Sequence, residues 1–105
     1  MKCYAVAELD ITERSWVRDY VQSVTPMVEK RGGRYLARTN DLERLEGERK
    51  NPHIFLIIEW PSRAAAKAFY ESEEYRPYRA RRLAGSKGDF VLVAGDDINK
   101  LADIP

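Results

Sequence analysis

Two glutamates, Glu8 and Glu59, are the side chains whose positions most suggest chemistry in this sequence. Each lies near the end of a short apolar segment that is typical of a strand. We expect the two strands to be parallel neighbours about 4.8 Å apart, which would bring the carboxylates close together. Burial and like-charge repulsion would then raise the pKa of one of them, as a general acid or base requires. The alternative is that each glutamate pairs with an arginine, such as Arg34 or Arg38.

His53, the only histidine, is a further candidate for proton transfer because its unperturbed pKa is near neutrality. The alternative is an ordinary surface residue at the entrance of a strand. Cys3 is the only cysteine and begins a buried strand, where a neutral thiol is expected. One histidine, one cysteine and no tight acidic cluster do not predict a metal site of the usual ligand type. No metal and no cofactor are therefore expected.

Tyrosines and arginines are the candidates for ligand binding. Tyrosine rings give a pocket amphipathic walls, and the planar guanidinium of arginine suits a carboxylate. The residues that we assign to this role are Arg34, Tyr35, Tyr4, Tyr70, Arg79 and Arg82. Packing is the alternative for the tyrosines. For the arginines between residues 76 and 82, the alternative is a solvated face paired with Glu71, Glu73 and Glu74.

The elements that must position these residues alternate between the strand and helix periods. Strands are predicted over 3–9, 34–39, 53–60 and 89–94, the stretch 41–52 is predicted to be a charged loop or loose arm, and further helices are predicted from Ser62 and over 75–84. The order is β-α-β-β-α-(α)-β. This order predicts an α+β fold of the ferredoxin-like βαββαβ type, with an antiparallel or mixed sheet in the order 4-1-3-2.

The first helix has predicted start and stop signals of its own. Asp10 and Glu13 have the spacing of a capping box, so we expect the helix to begin there. Pro26 is expected to bend the helix or split off its last turn. Gly32 and Gly33 are expected to end it.

The face of the sheet that the helices leave uncovered is predicted to be apolar. Strand alternation places Phe55 and Ile57 on one side of the third strand and Val91 and Val93 on one side of the last, while the opposite sides are apolar as well. An exposed apolar face usually marks an interface. We therefore expect a homodimer through the sheet faces, a dimeric α+β barrel. The alternative is that the 41–52 stretch and the tail cover this face.

Composition limits the class of protein. The 105 residues have room for one domain, predicted over 1–95, followed by a polar tail over 96–105. The 18 basic and 17 acidic side chains nearly cancel, which argues against nucleic-acid binding through basic excess. No apolar run approaches the roughly 18 residues of a membrane helix, and no signal peptide is recognised at the N-terminus. A cytoplasmic protein with neither nucleic acid nor membrane as partner is expected.

Four segments resemble a known family. They are MKCYAVAELD at the start, GGRYLAR at 32–38, IEWPSRAAAKAFYESEEY at 58–75 and RRLAGSKGDFVLVAG at 81–95. Together they resemble the bacterial family known as domain of unknown function 1330 (DUF1330), in the dimeric α+β barrel superfamily. The resemblance implies a ferredoxin-like protomer, a homodimer with packed sheets and no established activity. The wider superfamily includes monooxygenases that need no cofactor, muconolactone-type isomerases and haem-linked enzymes, so the fold alone fixes no chemistry.

These observations predict a small homodimeric protein that binds or transforms a small organic ligand, aromatic or carboxylate, by acid/base chemistry. Glu59, with Glu8 or His53, would transfer protons. Arg34 and the tyrosines would hold the ligand. The alternative is a non-catalytic dimeric module for ligand sensing or an accessory role.

Overall fold

The computed structural model describes residues 1–101. The strands are β1 (Cys3–Ile11), β2 (Arg34–Thr39), β3 (Ile54–Trp60) and β4 (Ser86–Ala94), and the helices are α1 (Val17–Lys30), α2 (Arg63–Tyr70), α3 (Arg76–Ala84) and α4 (Ile98–Leu101). The end of the predicted polar tail, residues 102–105, lies outside the described residues.

The four strands form one sheet in the order β2-β3-β1-β4, which is the predicted order read from the other edge. The ferredoxin-like α+β fold is therefore confirmed. The predicted parallel pairing of β1 and β3 is wrong, since every neighbouring pair is antiparallel. The reason is the connection through α1, which makes β1 and β2 run the same way. Because β3 returns beside β2, it must run against β1.

The predicted capping box at Asp10 is also wrong. Asp10 is still part of β1, and its carboxylate accepts a hydrogen bond from the His53 backbone N–H at 3.1 Å. The Glu13 carboxylate accepts from the Ser15 N–H at 2.8 Å, and α1 begins only at Val17. The two acidic side chains thus accept hydrogen bonds from backbone N–H groups near the connection between β1 and α1, and neither caps the helix.

The structure also tests the predictions made for Pro26, for the end of α1 and for the start of α2. The helix α1 continues past Pro26 to Lys30, so its last turn is not split off. It ends as predicted at the glycines, with Gly32 at a φ of +94° and the Gly33 N–H donating to the Val28 carbonyl at 2.9 Å. The Ser62 hydroxyl caps α2 by accepting from the Ala65 N–H at 3.0 Å.

The helices α1, α2 and α3 cover one face of the sheet, here called the inner face. The buried core lies between them and contains Cys3, Ala5, Val24, Val28, Ile58, Trp60, Ala66, Phe69 and Tyr75. The central strand β1 contributes only small side chains over much of this face, among them Ala5 and Ala7. Small residues on the central strand leave space beneath the helices, and the cavities described below occupy that space.

The opposite face of the sheet, here called the outer face, is not covered by α1, α2 or α3. Val91 and Val93 are 48% and 45% exposed there. The charged stretch 41–52 has no regular secondary structure, as predicted. It reaches one end of the outer face, where Arg49 pairs with Glu8 at 2.8 Å. No helix within the described residues is long and apolar enough to cross a membrane.

Candidate functional site

A cavity of about 250 Å³ lies between the inner face of the sheet and helices α1 and α3. We call it the first cavity. Its walls are mostly aliphatic and aromatic, with side chains such as Val24, Leu56 and Phe90. Such a space suits the apolar body of a small organic molecule.

The polar side chains of the first cavity are of only two kinds. They are the tyrosines Tyr20, Tyr35 and Tyr75 and the arginines Arg14, Arg38 and Arg82. Among the described lining residues there is no aspartate, glutamate or histidine. Arginine offers only hydrogen-bond donors and a positive charge, and neutral tyrosine offers a donor hydroxyl. The lining therefore favours a ligand that brings acceptor atoms and negative charge.

Two of the tyrosines and the most deeply placed arginine form a connected cluster, here called the Tyr20–Tyr75–Arg82 cluster. The Tyr20 and Tyr75 hydroxyl oxygens are 2.5 Å apart, and Arg82 Nε donates to the Tyr75 hydroxyl at 3.3 Å. One hydroxyl proton is used between the two tyrosines, which leaves the other free to donate. The cluster thus places both a neutral and a charged donor in the wall of the cavity.

Arg82 is the unusual member of this cluster, because it is only 3% exposed. Its Nη2 atom has no hydrogen-bond partner in the described part of the chain, and none of the ion pairs found there involves it. Its guanidinium lies over the Phe90 ring, with 5.1 Å from the guanidinium carbon to the ring centroid. A buried charge without a counter-ion is costly, so this cation is poised to accept an anion.

The protonation states within the cluster follow from its surroundings. Burial, with the nearby Tyr75 adding to it, raises the pKa of Tyr20 far above its ordinary value. Burial alone would lower the pKa of Arg82, but the oxygens of Tyr75 and Tyr20 outweigh it and the pKa is raised. At neutral pH Tyr20 is therefore a neutral donor and Arg82 a cation, and neither acts as a base.

The predicted ligand-binding residues divide between several places. Arg82 and Tyr35 line the first cavity. Tyr70 lines a second cavity of about 400 Å³ between α2 and the sheet. The guanidinium carbon of Arg79 lies 5.0 Å from the centroid of the Tyr70 ring, and the guanidinium donates to the Tyr70 carbonyl. Arg79 therefore connects α3 to the end of α2.

Four of the predicted residues, Tyr4, Glu8, Arg34 and Glu59, lie on the outer face of the sheet. Because β1 and β3 are antiparallel, Glu59 is opposite Tyr4 while Glu8 is opposite Phe55. Four residues of strand therefore separate the two carboxylates, roughly 13 Å, and the predicted contact between them is wrong. Arg34 is opposite Glu59 in the pairing of β2 with β3.

Each of the two glutamates has an ion pair of its own. Glu8 pairs with Arg49 at 2.8 Å, and Glu59 pairs with Lys2 at 3.2 Å. Ion pairing was the alternative considered from the sequence, although the partners are not Arg34 or Arg38. Neither glutamate lines the first or the second cavity.

His53 joins the start of β3 to the end of β1. Its ring Nδ1 accepts a hydrogen bond from the Ile11 backbone N–H at 2.9 Å, while the backbone N–H of His53 donates to the Asp10 carboxylate. The ring nitrogen Nδ1 thus acts as an acceptor that ties β3 to β1. His53 lines neither cavity, and the contacts that it makes are structural.

Neither Tyr20 nor Tyr75 was among the ligand-binding residues predicted from the sequence, so of this cluster only Arg82 was predicted. A signal was present, because a tyrosine in a buried stripe needs a partner for its hydroxyl. Tyr75, Tyr78 and Arg82 also share one face of α3 by their spacing of three and four. Within residues 1–101, no group of three or more histidine, cysteine or acidic side chains has the arrangement of a metal site.

Solved structures share this fold at low sequence identity. A protein of unknown function from Rhodopseudomonas palustris, RPA0582, superposes with a TM-score of 0.73 at 18% identity, over 91% of this chain and 83% of that one. SnoaB, a cofactor-independent oxygenase from Streptomyces nogalater, gives 0.65 at 13% identity over 91% and 94%. Rv0793 from Mycobacterium tuberculosis gives 0.60 at 15% identity over 92% and 97%.

Sequence comparison gives the family. No curated protein matches the chain. The profile of one family, described as a domain of unknown function (DUF1330), matches residues 2–96, nearly the whole chain. The earlier resemblance is thereby confirmed, and this chain belongs to the DUF1330 family.

Proposed function

We propose that this protein binds a small organic anion in the first cavity, with Arg82 as its counter-ion. The observation that carries the proposal is a buried guanidinium whose Nη2 atom has no partner in the described residues. A carboxylate, phenolate or enolate oxygen would supply both the missing hydrogen bond and the missing charge. The free hydroxyl proton of the Tyr20–Tyr75 pair would donate to the same group.

The rest of the cavity supports a ligand that is compact and apolar apart from its anionic group. Its volume of about 250 Å³ lies just below the range of roughly 300–1,000 Å³ that is typical for drug-sized ligands. The walls are aromatic and aliphatic, and the two further arginines, Arg14 and Arg38, are exposed. Aromatic carboxylates with one or two rings are the class that fits this combination best.

The lining supports the holding of negative charge better than proton abstraction. Donors that are fixed in an apolar site stabilise an oxyanion or enolate strongly, whereas no lining residue in the described part offers a carboxylate or imidazole as a base. The fold itself has a precedent for small-molecule chemistry, since SnoaB is a cofactor-independent oxygenase. Binding of an organic anion is therefore the function proposed. A non-catalytic ligand-sensing module, the alternative considered from the sequence, would require the same binding.

A calorimetric titration with matched anions and amides tests this proposal. Phenylacetate and benzoate are compared with phenylacetamide and benzamide, which keep the shape but lose the charge. We expect the anions to bind at least about tenfold more tightly than the amides. Arg82→Met should remove that difference.

Arg81→Met is the matched control for this experiment. Arg81 is the adjacent residue on α3, but it is exposed, pairs with Asp19 at 3.0 Å and does not line the first cavity. This variant should bind like the wild type. Equal binding of anions and amides, or full anion binding by Arg82→Met, would overturn the proposal.

We also propose that two copies of the chain pair through their outer faces. The centre of that face is apolar, with Ile57, Val6 and Val91 in register across β3, β1 and β4, and Val93 is the next residue on the same side of β4. Charged residues at its ends, such as Glu8 and Glu59, are suited to a rim. An apolar centre inside a polar rim is the usual anatomy of an interface.

A further inference from the structure

The first and second cavities share part of their walls. Three residues line both of them: Ile58, Phe69 and Phe90. We infer that Phe90 is the specificity-determining residue that closes the first cavity toward the second and so limits the length of the ligand. This inference rests on the proposed function, because it concerns the size of the anion that Arg82 holds.

Phe90 has one neighbour in each cavity. On one side its ring is covered by the guanidinium of Arg82, 5.1 Å away, in the first cavity. On the other side the ring centroid of Tyr70, which lines the second cavity, is 5.8 Å away. Phe90 projects from the inner face of β4 opposite Ala7, which is too small to fill the space beside it. The ring therefore stands between the two cavities.

Phe69 completes this wall from the helix side. Its ring lies 4.4 Å from Tyr75 of the first cavity and 5.5 Å from Trp60 of the second. Phe69 belongs to the buried core, whereas Phe90 is only half-buried. Removal of the Phe90 ring is thus the change that joins the two cavities with the least damage to the core.

The second cavity is suited to an apolar extension of the ligand. Its volume is about 400 Å³, and Ala5, Trp60 and Leu92 provide apolar walls. Arg63 and Lys67 are exposed on α2 and also belong to its lining. An anion that is anchored at Arg82 would extend past residue 90 into this space once the ring is gone.

Two ligand series measured by calorimetry test the inference. One is phenylalkanoates from phenylacetate to 8-phenyloctanoate, and the other is uncharged alkylbenzenes of the same lengths. For the wild type, affinity should rise with length by about fourfold per buried methylene and then fall. In Phe90→Ala the rise should continue, with the longest members of both series gaining at least about tenfold over the wild type.

Two further phenylalanine variants serve as controls for this experiment. Phe55→Ala removes the same ring from the outer face and lines neither cavity, so its length profile should match the wild type. Phe90→Leu should move the optimum by one or two methylenes, which covers the case in which Phe90→Ala does not fold. If no carboxylate binds the wild type, the proposed function is wrong. The length dependence of alkylbenzene binding then still tests whether Phe90 separates the two cavities. An unchanged length profile in both Phe90 variants would overturn the inference.

Discussion

At the scale of single residues, Arg82 is held in the apolar layer by aromatic groups. The Tyr75 hydroxyl accepts from its Nε atom, and the Phe90 ring covers its guanidinium. These contacts replace only part of the hydration that a guanidinium loses on burial. A residue that remains under-compensated in the folded state is expected at a binding site, where a ligand supplies the remainder.

The stability of Arg82→Met should therefore not fall. Methionine has a similar length and no charge, so its burial avoids the desolvation penalty of the guanidinium, and the Tyr20–Tyr75 hydrogen bond can persist. We expect the free energy of unfolding to stay equal or to rise by about 1–3 kcal/mol, measured by urea denaturation. Arg81→Met, at an exposed site, should change it by no more than about 0.5 kcal/mol. A loss of more than about 2 kcal/mol in Arg82→Met would show a structural role instead.

The raised pKa of Tyr20 predicts a loss of stability in alkali. Burial raises this pKa above the ordinary value of about 10, so the folded state holds the phenol proton more tightly than the unfolded chain does. The stabilisation is complete below pH of about 10 and falls as the pH rises beyond it, because only the unfolded chain then releases the proton.

Urea denaturation between pH 8 and 11 measures this effect. Tyr20→Phe should show a weaker decline of the free energy of unfolding above pH 10. Burial also raises the pKa of Tyr35, so the double variant with Tyr35→Phe should decline less again. A wild-type slope that both variants share would contradict the assignment.

At the scale of elements, the close approach of β4 to β1 depends on Gly88. This residue has a φ of +145° and lies opposite Leu9. A Cβ atom there would be 1.9 Å from the Glu8 carbonyl oxygen. Gly88→Ala should therefore both strain the backbone and push the strands apart, with a loss of about 3 kcal/mol or more in thermal or urea unfolding.

Gly47→Ala separates the two causes. Gly47 also has a positive φ, +95°, but nothing lies within 4 Å of a Cβ atom at that position in the charged loop. Its substitution should cost only the backbone strain, about 1–2 kcal/mol. Equal losses in the two variants would mean that the contact with Glu8 has no effect.

The sequence predicted those elements whose signals are local. The end of α1 at Gly32 and the start of α2 at Ser62 follow from backbone conformation and capping, and both are found where they were expected. The start of α1 was misplaced because Asp10 has the spacing of a cap but bonds across the sheet to His53. Local spacing does not reveal a partner 43 residues away.

The candidate site depends even more on contacts between residues that are distant in the sequence, which local spacing does not reveal. Helix periodicity predicts which side of its helix carries Tyr20 or Arg82. The contact between the two residues, however, depends on how α1 and α3 pack on the sheet. The error over Glu8 and Glu59 was one of strand direction, which follows from the connections between strands. Those connections alone place β1 and β3 antiparallel and therefore separate the two carboxylates.

At the scale of the whole molecule, the two faces of the sheet have separate roles in our proposals. Both cavities lie on the inner face beneath the helices, and the apolar centre of the outer face is left for a second copy of the chain. The charged stretch 41–52 contacts the outer face through Arg49 at one end. The middle of that face remains open, because Val91 and Val93 are still about half exposed.

Val93→Asp tests the pairing of two copies. Val93 lies opposite Tyr4 near the end of β4 and next to Val91 on the same face, so a carboxylate there would be buried against the partner's outer face without a counter-ion. Sedimentation equilibrium should show the wild type at about twice the chain mass of 12.2 kDa and Val93→Asp at the single mass.

Leu83→Asp is the matched control, since Leu83 is 58% exposed on α3, on the helix side of the sheet. It should remain dimeric. Because the first cavity lies on the other face of the sheet, monomeric Val93→Asp should still bind phenylacetate within about threefold of the wild type. A monomeric wild type, or a dimeric Val93→Asp, would contradict pairing through the outer face. Loss of ligand binding together with the dimer would instead show that the cavity needs the second copy for its shape.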